Sequence, residues 1–409
     1  PRRAAECGPL ANRMSSPPPI TPASAPSRKP IGLPQPFDYI PLGRVVFEAG
    51  GIARLGELAR ELGGTRVLLV TDPGLEDAGH PQRAIASLRD SGLDVAVFDA
   101  VEENPTARHV EAGVAAAKSH RADLLVAIGG GSAMDTAKGI NFVFTNGGQI
   151  ADYQGFGKAT KPMLPSIGVP TTAGTGSEAQ SYALIADESS HLKMACGDRK
   201  AAFRIGLLDP EVTFTQPPRV TAVTGIDSVA HAIESYVCTK RSALSQMFAR
   251  RAWRLLEANF ERVLERPRDL PARAAMQLGA HLAGMAIENS MLGSCHACAN
   301  PLTAHYGLTH GMAVGVMLPH VIRFNATAVS SLYADLAADA GLPDGAEALA
   351  RRVTDLLQTA ELPTDLTSCG ASRSILPLLA EEAAQQWTGR FNPRPVNQEV
   401  LLQLYEAAM

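Results

Sequence analysis

Residues 123–138 read DLLVAIGGGSAMDTAK, and this stretch decides the fold. Leu124 to Ile128 run without a polar break, which suits a strand buried on both faces of a parallel sheet. The run ends in Gly129, Gly130, Gly131 and Ser132, and a helical pattern opens near Ala133, so the chain turns from strand to helix through glycines. Glycine at such a turn lets the backbone approach a phosphate, while the free N–H groups of the helix offer partial positive charge. The spelling is not G-x-G-x-x-G and no acid follows at the usual distance, so a tight turn alone also accounts for the glycines. Working outward, RVLLVT (66–71) reads as a buried strand, followed by a helix over about 80–92. DVAVF (94–98) is the next strand, a helix follows over 106–119, and PSIGV (165–169) is a further short strand. Strands alternating with helices imply an α/β, doubly wound parallel sheet. Beyond about residue 212 the strand signal stops, and amphipathic helical patterns cover 243–265 and 270–292. The expected organisation is a disordered tail over 1–35, a dinucleotide-binding α/β domain over 36–212 and an all-α metal-binding and substrate domain over 213–409.

Composition narrows the function. Of 409 residues, 45% are hydrophobic and 19% charged, as in an ordinary globular enzyme. A net charge of −4 and 5% aromatics give no reason to expect a nucleic-acid partner, which would want a basic, base-stacking surface. No uninterrupted apolar run approaches the roughly 20 residues that span a bilayer, so no membrane partner is expected. The cysteines (Cys7, Cys196, Cys238, Cys295, Cys298 and Cys369) are too scattered for a disulfide framework, and a cytoplasmic location with reduced thiols is expected. Cys295 and Cys298 form a single C-x-x-C with no second one to complete a zinc site, and are read as buried thiols. Residues 1–35 are rich in Pro, Ser, Ala and Arg, and Glu6 is the only acid before Asp38. This mimics a transit peptide but lacks an apolar core, and reads as a disordered tail with Met14 as the start of the protein proper.

A second loop, Pro170-Thr-Thr-Ala-Gly-Thr-Gly-Ser-Glu178, follows the PSIGV strand and gathers hydroxyls and glycines where phosphates or ribose would be met. Its alternative is a hydroxyl-rich turn that satisfies its own backbone. Asp72 ends the first strand of the domain, where a carboxylate can accept from an adenosine ribose and repel a 2′-phosphate, favouring NAD over NADP. The sequence Asp72-Pro73-Gly74 also spells a plain turn.

The segment TGIDSVAHAIESYV (224–237) is helical by periodicity and places Asp227 and His231 on one face, a turn apart, as a carboxylate and an imidazole gripping one divalent ion would be. Thr224 and Asp227 also spell a capping box. Further on, CHACANPLTAHYGLTHG (295–311) carries His296, His305 and His310, and Pro301 and Gly307 should divide it so that His296 and His310 sit on different helical segments. His305 and His320 are read as bystanders.

With these residues in view, the chain resembles the iron-containing (group III) alcohol dehydrogenase family from about residue 38 to its end. The motifs that carry the likeness are Gly129-Gly-Gly-Ser132-x-x-Asp135-x-x-Lys138, PTTAGTGSE, GIDSVAHAIESY, and His310-Gly with Leu318-Pro319-His320 downstream. The run Phe391-Asn-Pro-Arg394-Pro matches too, with no chemistry assigned. The resemblance implies metal ligation by Asp227, His231, His296 and His310, with Fe²⁺ expected and Zn²⁺ the alternative. It implies dinucleotide contacts at Asp72, Asn104, Gly130, Gly131, Ser132, Thr171, Thr172 and Lys193, with Tyr182 and Val212 at further cofactor-lining positions. It also implies a dehydroquinate synthase-like plan of two domains with the active site between them.

One departure stands out: Asn300 occupies the place of a family histidine that is a candidate proton relay. Asn cannot exchange a proton near neutral pH, so no residue is assigned that role. Thr303 stands where glycine is common. The expected reaction is hydride transfer between a nicotinamide and a small alcohol or aldehyde whose oxygen a divalent cation holds. Two rivals remain open: a dehydroquinate-synthase-like or glycerol-dehydrogenase-like superfamily member, for which no dense basic cluster is visible, and a catalytically silent nucleotide-binding protein. A homodimer or higher homo-oligomer is the general expectation for such an enzyme.

Overall fold

Short runs of apolar and β-branched residues, buried on both faces, explain the central strands. In the computed structural model, which describes residues 36–187, 193–343 and 345–409, the expected tail over 1–35 lies outside the described residues. The chain runs β1 (Arg44–Phe47), α1 (Leu55–Glu61), β2 (Arg66–Val70), α2 (His80–Asp90), β3 (Asp94–Phe98), α3 (Ala107–His120), β4 (Leu124–Gly129) and α4 (Gly131–Asn146). There follow β5 (Gly155–Phe156), β6 (Ser166–Pro170), β7 (Tyr182–Ala186), β8 (Lys193–Gly197) and β9 (Ile205–Leu208). Leu68, Val70, Leu125 and Ala127 face α3 and α4, whereas Val67, Leu69, Leu124 and Val126 face α1 and α2, so both faces of the sheet are covered.

The main sheet has the order β1-β9-β6-β4-β2-β3, and its pairings are all parallel. After β2 the chain moves outward to β3, then crosses back to place β4 on the other side of β2. The strand order therefore reverses between β2 and β4, the point where open α/β sheets bind ligands beyond their strand ends. The doubly wound parallel sheet expected from 123–138 is present. The pattern of runs gave no sign of the edge strand β1, of β9, or of the small sheet β5-β8-β7, in which β7 and β8 pair antiparallel.

The rest of the chain is helical: α5 (Pro218–Val237), α6 (Ala243–Glu265), α7 (Leu270–Glu288), α8 (Ser294–Tyr306), α9 (His310–Asp339), α10 (Ala346–Thr359), α11 (Leu376–Gln385) and α12 (Gln398–Ala407). α5 is buried almost all round and packs against α6, α7 and α9, so it is the axis of this region. It begins six residues before Thr224, whose hydroxyl donates back to the Val220 carbonyl at 2.8 Å; the capping-box alternative for Thr224 and Asp227 is thereby removed. Pro301 does not divide its segment either. α8 runs through it, losing one backbone donor, and ends at Gly307, whose φ of 61° suits glycine. His296 and His310 still fall on separate helices, as expected. α9 is long and apolar enough to cross a membrane by composition, yet 67% of its most apolar window is buried, against α5, α8 and α10.

Candidate active site

The strand ends bring the two glycine-bearing loops together. Gly130 caps α4, and the Thr171 N–H donates to the Gly129 carbonyl at 2.9 Å, so the loop after β6 lies against the loop after β4. A Cβ on Gly131 would sit 2.7 Å from Thr175 Cγ2, and one on Gly129 would sit 3.0 Å from Asp72 Oδ2. Gly129 also has φ 154°, a conformation few other residues adopt. Asp72, at the end of β2, therefore borders the glycine loop across the switch point, with Ser132, Thr171 and Thr172 close by in the sequence of the same two loops. Burial raises the Asp72 pKa, against hydrogen bonds from the backbone N–H groups of Gly74 and of Asp72 itself.

Below this crevice, α5 presents Asp227, His231 and Glu234 at successive turns. His231 Nε2 stands 3.4 Å, His296 Nε2 3.5 Å and His310 Nε2 3.9 Å from the same atom, Asp227 Oδ1. Asp227, His231 and His296 form a compact buried group with ligand atoms within 4.8 Å of one another. His310, the first residue of α9, stands outside that group on the open side, its side chain 26% exposed. Asp227 Oδ1 and His296 Nε2 are buried with no hydrogen-bond partner among the described residues. Two donor atoms held roughly 2.1 Å from one tetrahedral ion lie about 3.4 Å apart, so these bare atoms fit a cation between them.

Burial alone would raise the Asp227 carboxyl, but the neighbouring His231, His296 and His310 rings hold it well below the usual carboxylate range. Burial lowers His231 to about 4, with Asp227 opposing. His296 goes the other way. Burial would lower it, yet Glu234 and Asp227 outweigh that and raise it to about 9. Glu234 explains the difference: its Oε2 accepts from His296 Nδ1 at 2.5 Å, and its Oε1 accepts from the Cys295 N–H at 2.8 Å. A carboxylate on Nδ1 fixes the ring so that Nε2 faces Asp227. Sequence reasoning missed Glu234. Its signal was present as the third member of an i, i+4, i+7 series, Asp227-His231-Glu234, on one helix face.

One hydroxyl ties the two halves of the site. Ser228 Oγ, beside Asp227 on α5, donates to the carbonyls of Ala173 and Gly174 at 3.1 and 2.8 Å. A Cβ on Gly174 would meet Thr224 of α5 at 2.7 Å, so the glycine is what allows this approach. The Asp135 and Lys138 of the glycine motif brace the same loop. Lys138, 1% exposed, donates to Ser177 Oγ at 2.8 Å and to the Ser177 and Tyr182 carbonyls at 2.7 Å, while Ser177 Oγ donates to Asp135 at 2.6 Å. Lys193 opens β8 across from Ala186, and burial lowers its pKa, opposed by the charges of Asp135, Asp227 and Glu103.

Other expected residues fall elsewhere. Val212 has no exposed surface and packs in the core between the sheet and α2. Asn104 is half-buried in the turn after β3, with φ 55°. Tyr182 stacks on Trp387 at 6.0 Å between ring centroids. His305 pairs with Glu382 at 2.9 Å, away from the centre, and His320 lies within α9, consistent with bystanders. Cys295 and Cys298 are fully buried with raised pKa values, and Cys295 Sγ donates to the Val314 carbonyl, so the C-x-x-C consists of packed thiols. The Phe391–Pro395 run now has a role: Asn392 Oδ1 accepts from Ser294 Oγ at 2.9 Å and from Asn325 at 3.0 Å, fixing the start of α8 just before His296.

A crevice at a sheet's switch point, bound through one helix to a carboxylate–imidazole centre, is the equipment of the dehydrogenase class. Comparison with known proteins carries this further. A family model described as iron-containing alcohol dehydrogenase matches residues 43–210, and one described as the C-terminal part of the Fe-containing alcohol dehydrogenase family matches residues 221–409. The chain belongs to the iron-containing alcohol dehydrogenase family. It is 35% identical over 375 residues to alcohol dehydrogenase 4 of Schizosaccharomyces pombe, covering 91% of this chain and 88% of that one. It is 33% identical over 379 residues to the NAD-dependent methanol dehydrogenase of Bacillus methanolicus, covering 91% and 99%. The crystal structure of a 1,3-propanediol oxidoreductase superposes with a TM-score of 0.89 at 33% identity, covering 92% of this chain and 100% of that one. Membership makes this protein a metal-dependent, nicotinamide-linked oxidoreductase acting on CH–OH groups.

Proposed function

We propose that Asp227, His231, His296 and His310 together hold one divalent cation, Fe²⁺ in preference to Zn²⁺, beside an NAD bound at the β2 and β4 strand ends. In this reading a small alcohol is oxidised to its aldehyde or ketone, or the reverse. The observation that carries it is the convergence of three imidazole Nε2 atoms on one bare carboxylate oxygen, Asp227 Oδ1. Held by these residues, a cation would supply Lewis acidity toward the substrate oxygen, and a nicotinamide at the strand ends would supply the hydride acceptor or donor. Asp227 contributes the negative charge that three neutral imidazoles lack. Glu234 holds His296 with Nε2 toward the centre, and a group in that position is worth about 10–100-fold in metal affinity. His310, on the open side, leaves a face for substrate.

The dinucleotide is assigned to Asp72, Asn104, Gly130, Gly131, Ser132, Thr171, Thr172, Tyr182 and Lys193. The bordering of Asp72 on the glycine loop supports NAD over NADP, because its carboxylate would face a 2′-phosphate. Replacing Asp72 with glycine should raise the NADPH-to-NADH ratio of kcat/KM by about tenfold, the equivalent of roughly 1.4 kcal/mol. An unaltered ratio would remove Asp72 from this role. Residues 36–212 and 213–409 are taken as the nucleotide and the metal–substrate domains, and a cytoplasmic homo-oligomer remains the working assembly.

The reading is tested by anaerobic reconstitution with Fe²⁺ or Zn²⁺, followed by metal analysis and NADH absorbance with short alcohols. One equivalent of metal per chain and metal-dependent turnover are expected. Higher turnover with Zn²⁺ would reverse the choice of ion, and full activity after chelation would end the proposal.

A further inference from the structure

We propose that Asn300 and Gln386 form an amide pair that selects substrates carrying a second neutral hydrogen-bonding group, a hydroxyl or carbonyl, within a few bonds of the reacting carbon. The inference rests on the dehydrogenase reading above and deepens it from reaction to substrate.

Asn300 lies four residues beyond His296 in α8, hence on the same face and roughly 6 Å further along the axis. A substrate whose oxygen lies at the Asp227–His296 centre would have its second or third atom within reach of that position. Asn300 Nδ2 donates to Gln386 Oε1 at 2.9 Å. This bond leaves two strong polar groups side by side, the Asn300 carbonyl as acceptor and the Gln386 amide nitrogen as donor, and neither has a hydrogen bond to another described residue. Both residues are half-buried. One turn on, at i+7 from His296, Thr303 Oγ1 is buried without a partner. Polar capacity left open therefore runs in a line away from the centre along one helix face.

The adjoining surface is aromatic. Gln386 immediately precedes Trp387, which stacks on Tyr182 with planes 29° apart and meets Phe391 edge-on at 6.1 Å. Trp387 comes from the helical region and Tyr182 from β7, so the stack joins the two regions next to the amide pair. Against such a surface an alkyl tail would strip water from both amides and return nothing. A hydroxyl there can donate to the Asn300 carbonyl and accept from the Gln386 amide at once. Neither amide bears a charge, so the pair suits a neutral hydroxyl or carbonyl better than a carboxylate. Neither can take up a proton near neutral pH, so both are specificity residues and not catalytic ones.

The test compares kcat/KM for 1-propanol, 1,2-propanediol and 1,3-propanediol, using metal-loaded enzyme with NAD. The variants are Asn300→Leu, Gln386→Leu and Asn300→Ser, the last able to restore a hydrogen bond. Wild type should favour at least one diol over 1-propanol by about tenfold or more. Each leucine variant should lose that preference, chiefly through a raised KM for the diol. Turnover of 1-propanol should stay within about threefold and the pH profile should keep its shape, while Asn300→Ser recovers part of the preference. Calorimetry of diol binding to the enzyme–NADH complex supplies a readout independent of turnover, and should weaken in the same order. Equal loss of alcohol and diol activity in the variants, or wild type favouring 1-propanol, would overturn the pair's role while leaving the dehydrogenase reading intact. Metal-loaded protein that oxidises none of the three and reduces none of their aldehydes would instead sink the parent reading, and this inference with it.

Discussion

Replacing His296 with alanine is expected to abolish stoichiometric metal retention and to lower kcat/KM by on the order of 10³ or more. Lewis-acid stabilisation of a developing oxyanion is worth several kcal/mol, and each 1.36 kcal/mol is a factor of ten in rate. The loss should exceed that of a single contact because His296 is joined to two carboxylates, Asp227 at 3.5 Å and Glu234 at 2.5 Å. Removing the ring leaves Glu234 buried beside Asp227 with one fewer donor, an arrangement that is itself destabilising. Metal analysis by mass spectrometry, with thermal melting to confirm folding, checks the outcome. A variant that keeps one equivalent of metal and near-normal activity refutes the ligand assignment.

The second large effect is expected from Gly311→Ala, a change of one methyl group outside the ligand set. A Cβ at this position would lie 2.0 Å from the Val223 carbonyl oxygen of α5 and 3.4 Å from Asp227 Cβ. The obstacle is helix backbone, which cannot rotate aside as a side chain does. The first turn of α9 must then move away from α5, and it carries His310, which approaches Asp227 from the adjacent position. Forcing a methyl into a packed core costs about 1–3 kcal/mol, and a backbone contact belongs at the upper end. A fall of several degrees in Tm is expected together with weaker cation binding, while NADH affinity at the strand-end loops changes less. If Tm and cation affinity both match wild type, the close approach of α9 to α5 is not what positions His310.

Much of this architecture was legible in the chain itself because its signals are local. The run 124–128 ends in glycines whose place at a strand-to-helix turn follows from backbone freedom alone, and the structure puts α4 directly after them. The i, i+4 relation of Asp227 and His231 likewise needs only helix geometry. What sequence reasoning missed depends on contacts between distant segments. Glu234 matters through His296, 62 residues later, and Asn392 matters through Ser294, 98 residues earlier. β7 and β8 were missed because their pairing joins positions as far apart as Tyr182 and Gly197. The burial of Val212 was not legible either, because a position's likeness to a family pattern does not report how deep its side chain lies.

The hydroxyl of Ser228 has a thermodynamic consequence. It joins the loop after β6 to the helix that bears Asp227 and His231, so a nucleotide held on that loop and an ion held on that helix would share one scaffold. Any stiffening that one ligand imposes on this shared spine is already in place when the other arrives, and reciprocity makes the two gains equal in free energy. The enzyme would then favour complexes holding both, and spend little of its time with only one.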